Sequence, residues 1–106
     1  MMAEFRNTIR LEVYTGTSWH SIMKHYSVDM STGGLFLESD AILPVDTSLV
    51  IKFKLPGIET NILCNARVAW TNEPGNLKKS SLPPGMGVQF LDLSLEDPQN
   101  IRNFLK

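Results

Sequence analysis

The chain has 106 residues, 42% of them apolar, and sets ten Lys and Arg against eleven Asp and Glu for a formal net charge of -1. A chain of this size buries roughly 60 to 70% of the surface its unfolded form exposes, which supports one core and excludes a two-domain enzyme. Near-neutral charge also removes the long-range field behind non-specific nucleic-acid and anionic-membrane binding, so an anionic ligand must be held by a local cluster.

The N-terminus, Met1 to Arg6, has no basic region followed by an apolar one, and no apolar run approaches the roughly 18 residues of a spanning helix. A cytoplasmic protein without membrane insertion is expected. Residues 1–10 read as an N-terminal arm and 9–106 as a single domain. Period-two alternation, the mark of a strand with one buried face, predicts strands at Ile9–Thr15, Ser21–Val28, Leu35–Glu38, Ser48–Leu55, Asn61–Trp70 and Gly87–Leu91. Gly16, Gly33-Gly34, Pro44 with Asp46, Pro56-Gly57 and Asn72 to Asn76 punctuate them. Short strands at this spacing indicate a barrel or sandwich.

In Asn61–Trp70, the set Ile62, Cys64, Ala66, Val68 and Trp70 shares one face. That register makes Cys64 a core residue. As the sole cysteine it also excludes an internal disulfide and a cysteine-based zinc site. His20 and His25 read as ordinary polar residues of a strand or loop, with no third ligand placed for a metal. Residues 72–85, rich in Asn, Ser, Pro and Lys, read as a surface loop. Asp97-Pro98 then fits a helix N-cap and first position, with Ser94 as an alternative cap one turn earlier, and Ile101, Phe104 and Leu105 fall on one helical face. So short a helix must dock on the barrel to persist.

Two clusters carry candidate chemistry. Arg6 and Arg10 are four apart where the arm meets the first strand, and Asp29-Met30-Ser31-Thr32-Gly33-Gly34 joins the second strand to the third. Taken singly, the first reads as a solvated arm and the second as a hairpin turn in which Asp and Ser satisfy backbone groups.

Together they resemble the paired signature of the PilZ domain, a bacterial receptor module for cyclic di-GMP: Arg6-x-x-x-Arg10 and Asp29-x-Ser31-x-x-Gly34. Ala66 to Trp70 and Gly85 to Phe90 resemble two further strands of that family, and the likeness runs from Arg6 to about Leu105. The resemblance implies an all-β fold, a six-stranded antiparallel PilZ-type β-barrel with a short C-terminal α-helix. It also implies a non-enzymatic receptor with cyclic di-GMP as ligand and no cofactor or metal.

In that reading Arg6 and Arg10 grip guanine edges and phosphates with planar forks that lysine lacks. Asp29 accepts from guanine N1–H and N2–H₂, Ser31 donates to a ligand oxygen, and Gly33 and Gly34 let the ligand approach the backbone. The arm, with Phe5 repacking, would order on binding and signal to a separate, unidentified protein partner, and a homodimer is compatible with the sequence. The alternative is a PilZ-like protein interaction module that does not bind the nucleotide. Trp19 and Trp70 read as core or rim aromatics. A nucleic-acid-binding barrel is disfavoured because Lys24, Lys52, Lys54, Lys78 and Lys79 are scattered rather than lining a groove.

Overall fold

A computed structural model describes residues 7–17 and 22–105. Phe5, Arg6, Trp19 and His20 lie outside the described residues.

Alternation is realised most plainly in the middle of the chain. In β5 (Ser48–Phe53) Leu49, Ile51 and Phe53 are buried while Ser48, Val50 and Lys52 face solvent. β6 (Ile62–Asn72) runs antiparallel to it, with Leu49 opposite Ala66, Ile51 opposite Cys64 and Phe53 opposite Ile62, so both apolar sets point the same way. Burial, with Asp92 and Asp97 adding to it, pushes the Cys64 thiol up to about 11. Cys64 is a core side chain and stays protonated near neutrality.

The remaining strands are β1 (Asn7–Thr8), β2 (Glu12–Gly16), β3 (Met23–Met30), β4 (Gly34–Glu38) and β7 (Gly85–Phe90). Their order is β1-β3-β2-β5-β6-β7-β4, and β4 pairs back onto β3, so six antiparallel strands close into a barrel with β1 as a short extension along β3. Among the described residues, closure leaves no long open edge for another chain to pair with. Val13, Leu35, Ile51, Val68 and Val88 fill the interior.

The helix α1 (Asp97–Leu105) adds Ile101 and Leu105 to that core and rests Phe104 against it. Just before it, the Asp92 carboxylate accepts from the Asn65 backbone N–H at 2.6 Å and from its side-chain amide at 2.7 Å. These bonds fix where the chain leaves β7 for the helix.

Four local departures from simple alternation matter. The first predicted strand, Ile9–Thr15, begins only at Glu12, because residues 9–11 bulge out between β2 and the short β1 that precedes them. β3 extends to Met30, so Asp29 belongs to a strand instead of closing one. His25 is buried, with Nε2 3.0 Å from Thr15 Oγ1, whereas the sequence suggested an ordinary polar position. Finally, the register of β6 on β7 shifts between Val68 and Trp70, which makes Ala69 an extra residue.

The last departure moves Trp70 off the core face predicted for it. Its ring lies across Gly87, where an added Cβ would sit 2.1 Å from the indole nitrogen. Trp70 also packs on Phe36 of β4, with ring centroids 5.2 Å apart, and the Phe36 ring in turn lies against Gly85. Two glycines of β7 thus form a trough on the outside of the barrel for two aromatic rings.

Candidate functional site

The two sequence motifs meet through strand pairing. β1 runs along the end of β3 with Asn7 opposite Met30 and Thr8 opposite Asp29. Farther along, Glu12 of β2 faces Tyr26. Ile9, Arg10 and Leu11 therefore span the stretch that β3 covers with Ser27 and Val28. Such an insertion bends the strand and re-aims its side chains.

The buried Ser27 hydroxyl stabilises the bulge from beneath. It donates to the Ile9 carbonyl at 2.6 Å and accepts from the Leu11 N–H at 2.9 Å. Backbone bonds from Ile9 N–H to the Val28 carbonyl and from Ser27 N–H to the Leu11 carbonyl flank it.

Arg10 emerges from this bulge onto the outer surface. Its guanidinium carbon lies 4.4 Å from the centroid of the Tyr26 ring, and its Nη1 is 3.3 Å from Glu38 Oε1. Tyr26 and Glu38 are register partners on β3 and β4, so strand pairing places ring and carboxylate side by side. The side chains of Arg10 and Glu38 remain 62% and 48% exposed, which makes the ion pair weak on its own. Lys24 reaches the same ring at 5.6 Å, and Tyr26, followed by Glu12, raises its pKa.

The second motif forms the turn from β3 to β4. Ser31 is fully buried: its backbone N–H donates to the Gly34 carbonyl at 2.8 Å, and its Oγ accepts from the Gly33 N–H at 3.2 Å. Gly33 is exposed, and its carbonyl accepts from the Phe90 N–H of β7 at 2.9 Å. At Gly34 a Cβ would stand 2.1 Å from the Val88 carbonyl oxygen. Only glycine lets β4 begin this close to β7. Asp29 is half-buried, between Thr8 on one side and Phe36 on the other.

Beside the turn is a cavity of about 410 Å³ lined by Gly33, Gly34, Ala69, Trp70, Gly87 and Gln89, among others. Gln89 also accepts from Arg67 Nε at 2.9 Å, while Arg67 Nη1 reaches Asp46 at 2.7 Å. The far wall of the trough continues into the 73–84 loop. Buried Asn72 holds that loop, its amide donating toward the carbonyls of Lys79, Leu82 and Pro83 and its carbonyl accepting from the Lys79 N–H. Lys79 lies over the Trp70 ring at 5.7 Å.

Of the residues expected to form a site, Asp29, Ser31, Gly33 and Gly34 share one strand end and turn, and Arg10 sits in the bulge between the two strands paired with β3. Arg6 is outside the described residues. Ser27, Tyr26 and Glu38 were not anticipated. Nothing in their spacing marks them, because their contacts cross strands.

Among the described residues no His, Cys, Asp and Glu group could hold a metal ion, and no helix is long and apolar enough to cross a membrane.

The family model of the PilZ domain matches residues 4–106. Among solved structures, that of the Bacillus subtilis inhibitor of motility (MotI/DgrA) is similar with a TM-score of 0.78 at 19% identity, over 98% of this chain and 48% of that one. The chain thus spans about half the length of that protein. The PilZ domain of CeSA from a cellulose-synthesizing bacterium gives 0.61 at 17% identity, over 94% and 93% of the two chains. The PilZ domain of YcgR from Escherichia coli with c-di-GMP gives 0.71 at 15% identity, over 98% and 88%. No curated protein matches the sequence. At these identities the structural likeness establishes the fold.

Proposed function

The chain belongs to the PilZ domain family, and from that premise we propose that it is a cyclic di-GMP receptor that passes ligand occupancy on to a protein partner. PilZ domains are receptor and adaptor modules, generally without catalysis. The observation that carries the reading is the pairing of Thr8 with Asp29, which supports a site shared by Arg10, two residues beyond Thr8, and the Asp29 motif.

In the proposed complex Arg10, with Arg6, directs its guanidinium fork at guanine O6 and N7 or at phosphate oxygens. Asp29 accepts from guanine N1–H and N2–H₂, a donor pair that adenine does not present. Gly33 offers unobstructed backbone. The Ser31 hydroxyl, engaged with the Gly33 N–H, contributes by fixing the turn's shape as well as by any donation to the ligand. The cavity beside Gly33 and Gly34 supports a ligand seated there.

Within the 1–10 arm, the segment that precedes Asn7 is the proposed moving part, ordering when Arg6 engages the nucleotide, because Asn7, Thr8 and Arg10 are already held against β3. Exposed Ile22, Val50 and Leu63 surround a groove of about 740 Å³ over β2, β5 and β6 and supply apolar surface for a protein contact.

Titration calorimetry with cyclic di-GMP tests the reading. Micromolar binding is expected, and Arg10→Ala should weaken it about tenfold or more. No binding at tens of micromolar, as estimated from that scale, would overturn the receptor reading in favour of a protein interaction module.

A further inference from the structure

The contacts around Arg10 go beyond its place in the signature. A guanidinium has two flat faces and an edge of N–H donors. Tyr26 covers one face at 4.4 Å, and Glu38 takes an edge donor, Nη1, at 3.3 Å. The other face and much of the remaining edge are open, since the side chain is 62% exposed. Resting on the receptor reading, we infer that Tyr26 is a positioning platform for Arg10, and that Glu38 is a built-in competitor whose carboxylate occupies a donor otherwise open to a nucleotide oxygen.

The two neighbours act in opposite directions on binding. Tyr26 is neutral, so it holds the planar group flat over the barrel whether or not a ligand is present, lowering the ordering cost of binding. The guanidinium's other face remains available for a guanine to stack on. Glu38 holds the same rotamer, but with a negative charge in the position of the incoming phosphate or carbonyl oxygen.

A ligand that takes Nη1 must displace Glu38 and tolerate its charge nearby. The pair is solvent-exposed, so the competition is modest, on the order of the two- to fivefold that such ion pairs amount to. Glu38 therefore sets the concentration at which the receptor responds without preventing the response. Strand register sets two of the three groups side by side: Glu38 is opposite Tyr26, and Tyr26 is the residue over which Arg10 leans.

The test has one arm without nucleotide and one with it. In the ligand-free protein, the Arg10 Nε–H resonance, identified by its loss in Arg10→Lys, is expected to shift in Tyr26→Leu and to hold its position in Tyr26→Phe. An unmoved resonance in Tyr26→Leu overturns the platform. In calorimetric titration with cyclic di-GMP, Glu38→Gln is expected to bind about two- to fivefold tighter than the parent, with the difference shrinking at high salt. Tyr26→Leu is expected to bind more weakly, and Tyr26→Phe like the parent.

Binding by Glu38→Gln where the parent shows none also supports the competitor. Equal or weaker binding by Glu38→Gln overturns it while leaving the receptor reading intact. If neither protein binds, the receptor reading and the competitor fall together, and the ligand-free arm still decides the platform.

Discussion

The hydroxyl of Ser27 lies 2.6 Å from the carbonyl oxygen of Ile9, and this bond, made from the floor of the barrel, supports the bulge that aims Arg10. Removing the hydroxyl leaves the Ile9 carbonyl and the Leu11 N–H without that partner in a part-buried setting. Ser27→Ala is expected to cost about 1–3 kcal/mol of stability and to weaken cyclic di-GMP binding as Arg10 loses its fixed origin. Urea denaturation measures the first effect and calorimetry the second. An unchanged protein on both counts would show that the backbone bonds alone hold the bulge.

Gly87 and Trp70 form a second dependent pair. A methyl group at position 87 would occupy the space of the indole ring, so Gly87→Ala is expected to destabilise by about 1–3 kcal/mol through overpacking. In a Trp70→Ala background the three atoms nearest that methyl are gone. A double-mutant cycle should therefore give a coupling of about 1 kcal/mol or more, and additive effects would rule out the overlap.

Asn72 links β6 to the 73–84 loop through four hydrogen-bond contacts of one amide. Asn72→Ala is expected to cost about 1–3 kcal/mol, the range for buried groups deprived of partners. Hydrogen exchange gives the sharper check. The Lys79 N–H, which donates to Asn72 Oδ1 at 3.0 Å, should exchange much faster in the variant, while β5 and β6 amides keep their protection.

His25 links stability to pH. Burial lowers its pKa below the usual 6.5, so the folded protein resists protonation that the unfolded chain accepts. Above about pH 6.5 neither state carries the proton and the contribution is complete. As pH falls below that value the unfolded chain binds the proton first, and stability drops by up to about 1.4 kcal/mol per pH unit until the folded pKa is reached. Urea midpoints between about pH 7.5 and 5.5 should fall for the parent and flatten for His25→Gln. A variant with the parent's slope would assign the effect to other groups.

The predicted strands and the helix were legible because each depends on local periodicity. Leu49, Ile51 and Phe53 alternate with polar neighbours, and Ile101 and Leu105 fall four apart on the helix, whatever lies opposite them. The sequence misled where an extra residue changed the phase. Nothing near Trp70 announces that Ala69 is surplus to the pairing with β7, since a bulge is defined by the partner strand.

The near-neutral composition by itself requires any anionic ligand of this small barrel to be held by a local cluster, and the two short motifs supply the proposed one: Arg6, Arg10, Asp29, Ser31, Gly33 and Gly34. Only the tertiary structure decided what surrounds those residues. It buried Ser31 in the turn, reserved Gly34 and Gly87 for close packing, and brought Tyr26 and Glu38 to the Arg10 guanidinium. The physical reason is the same in each case. Side-chain period along one strand is a local property, whereas register, bulges and the neighbours they create exist only once a second strand has paired.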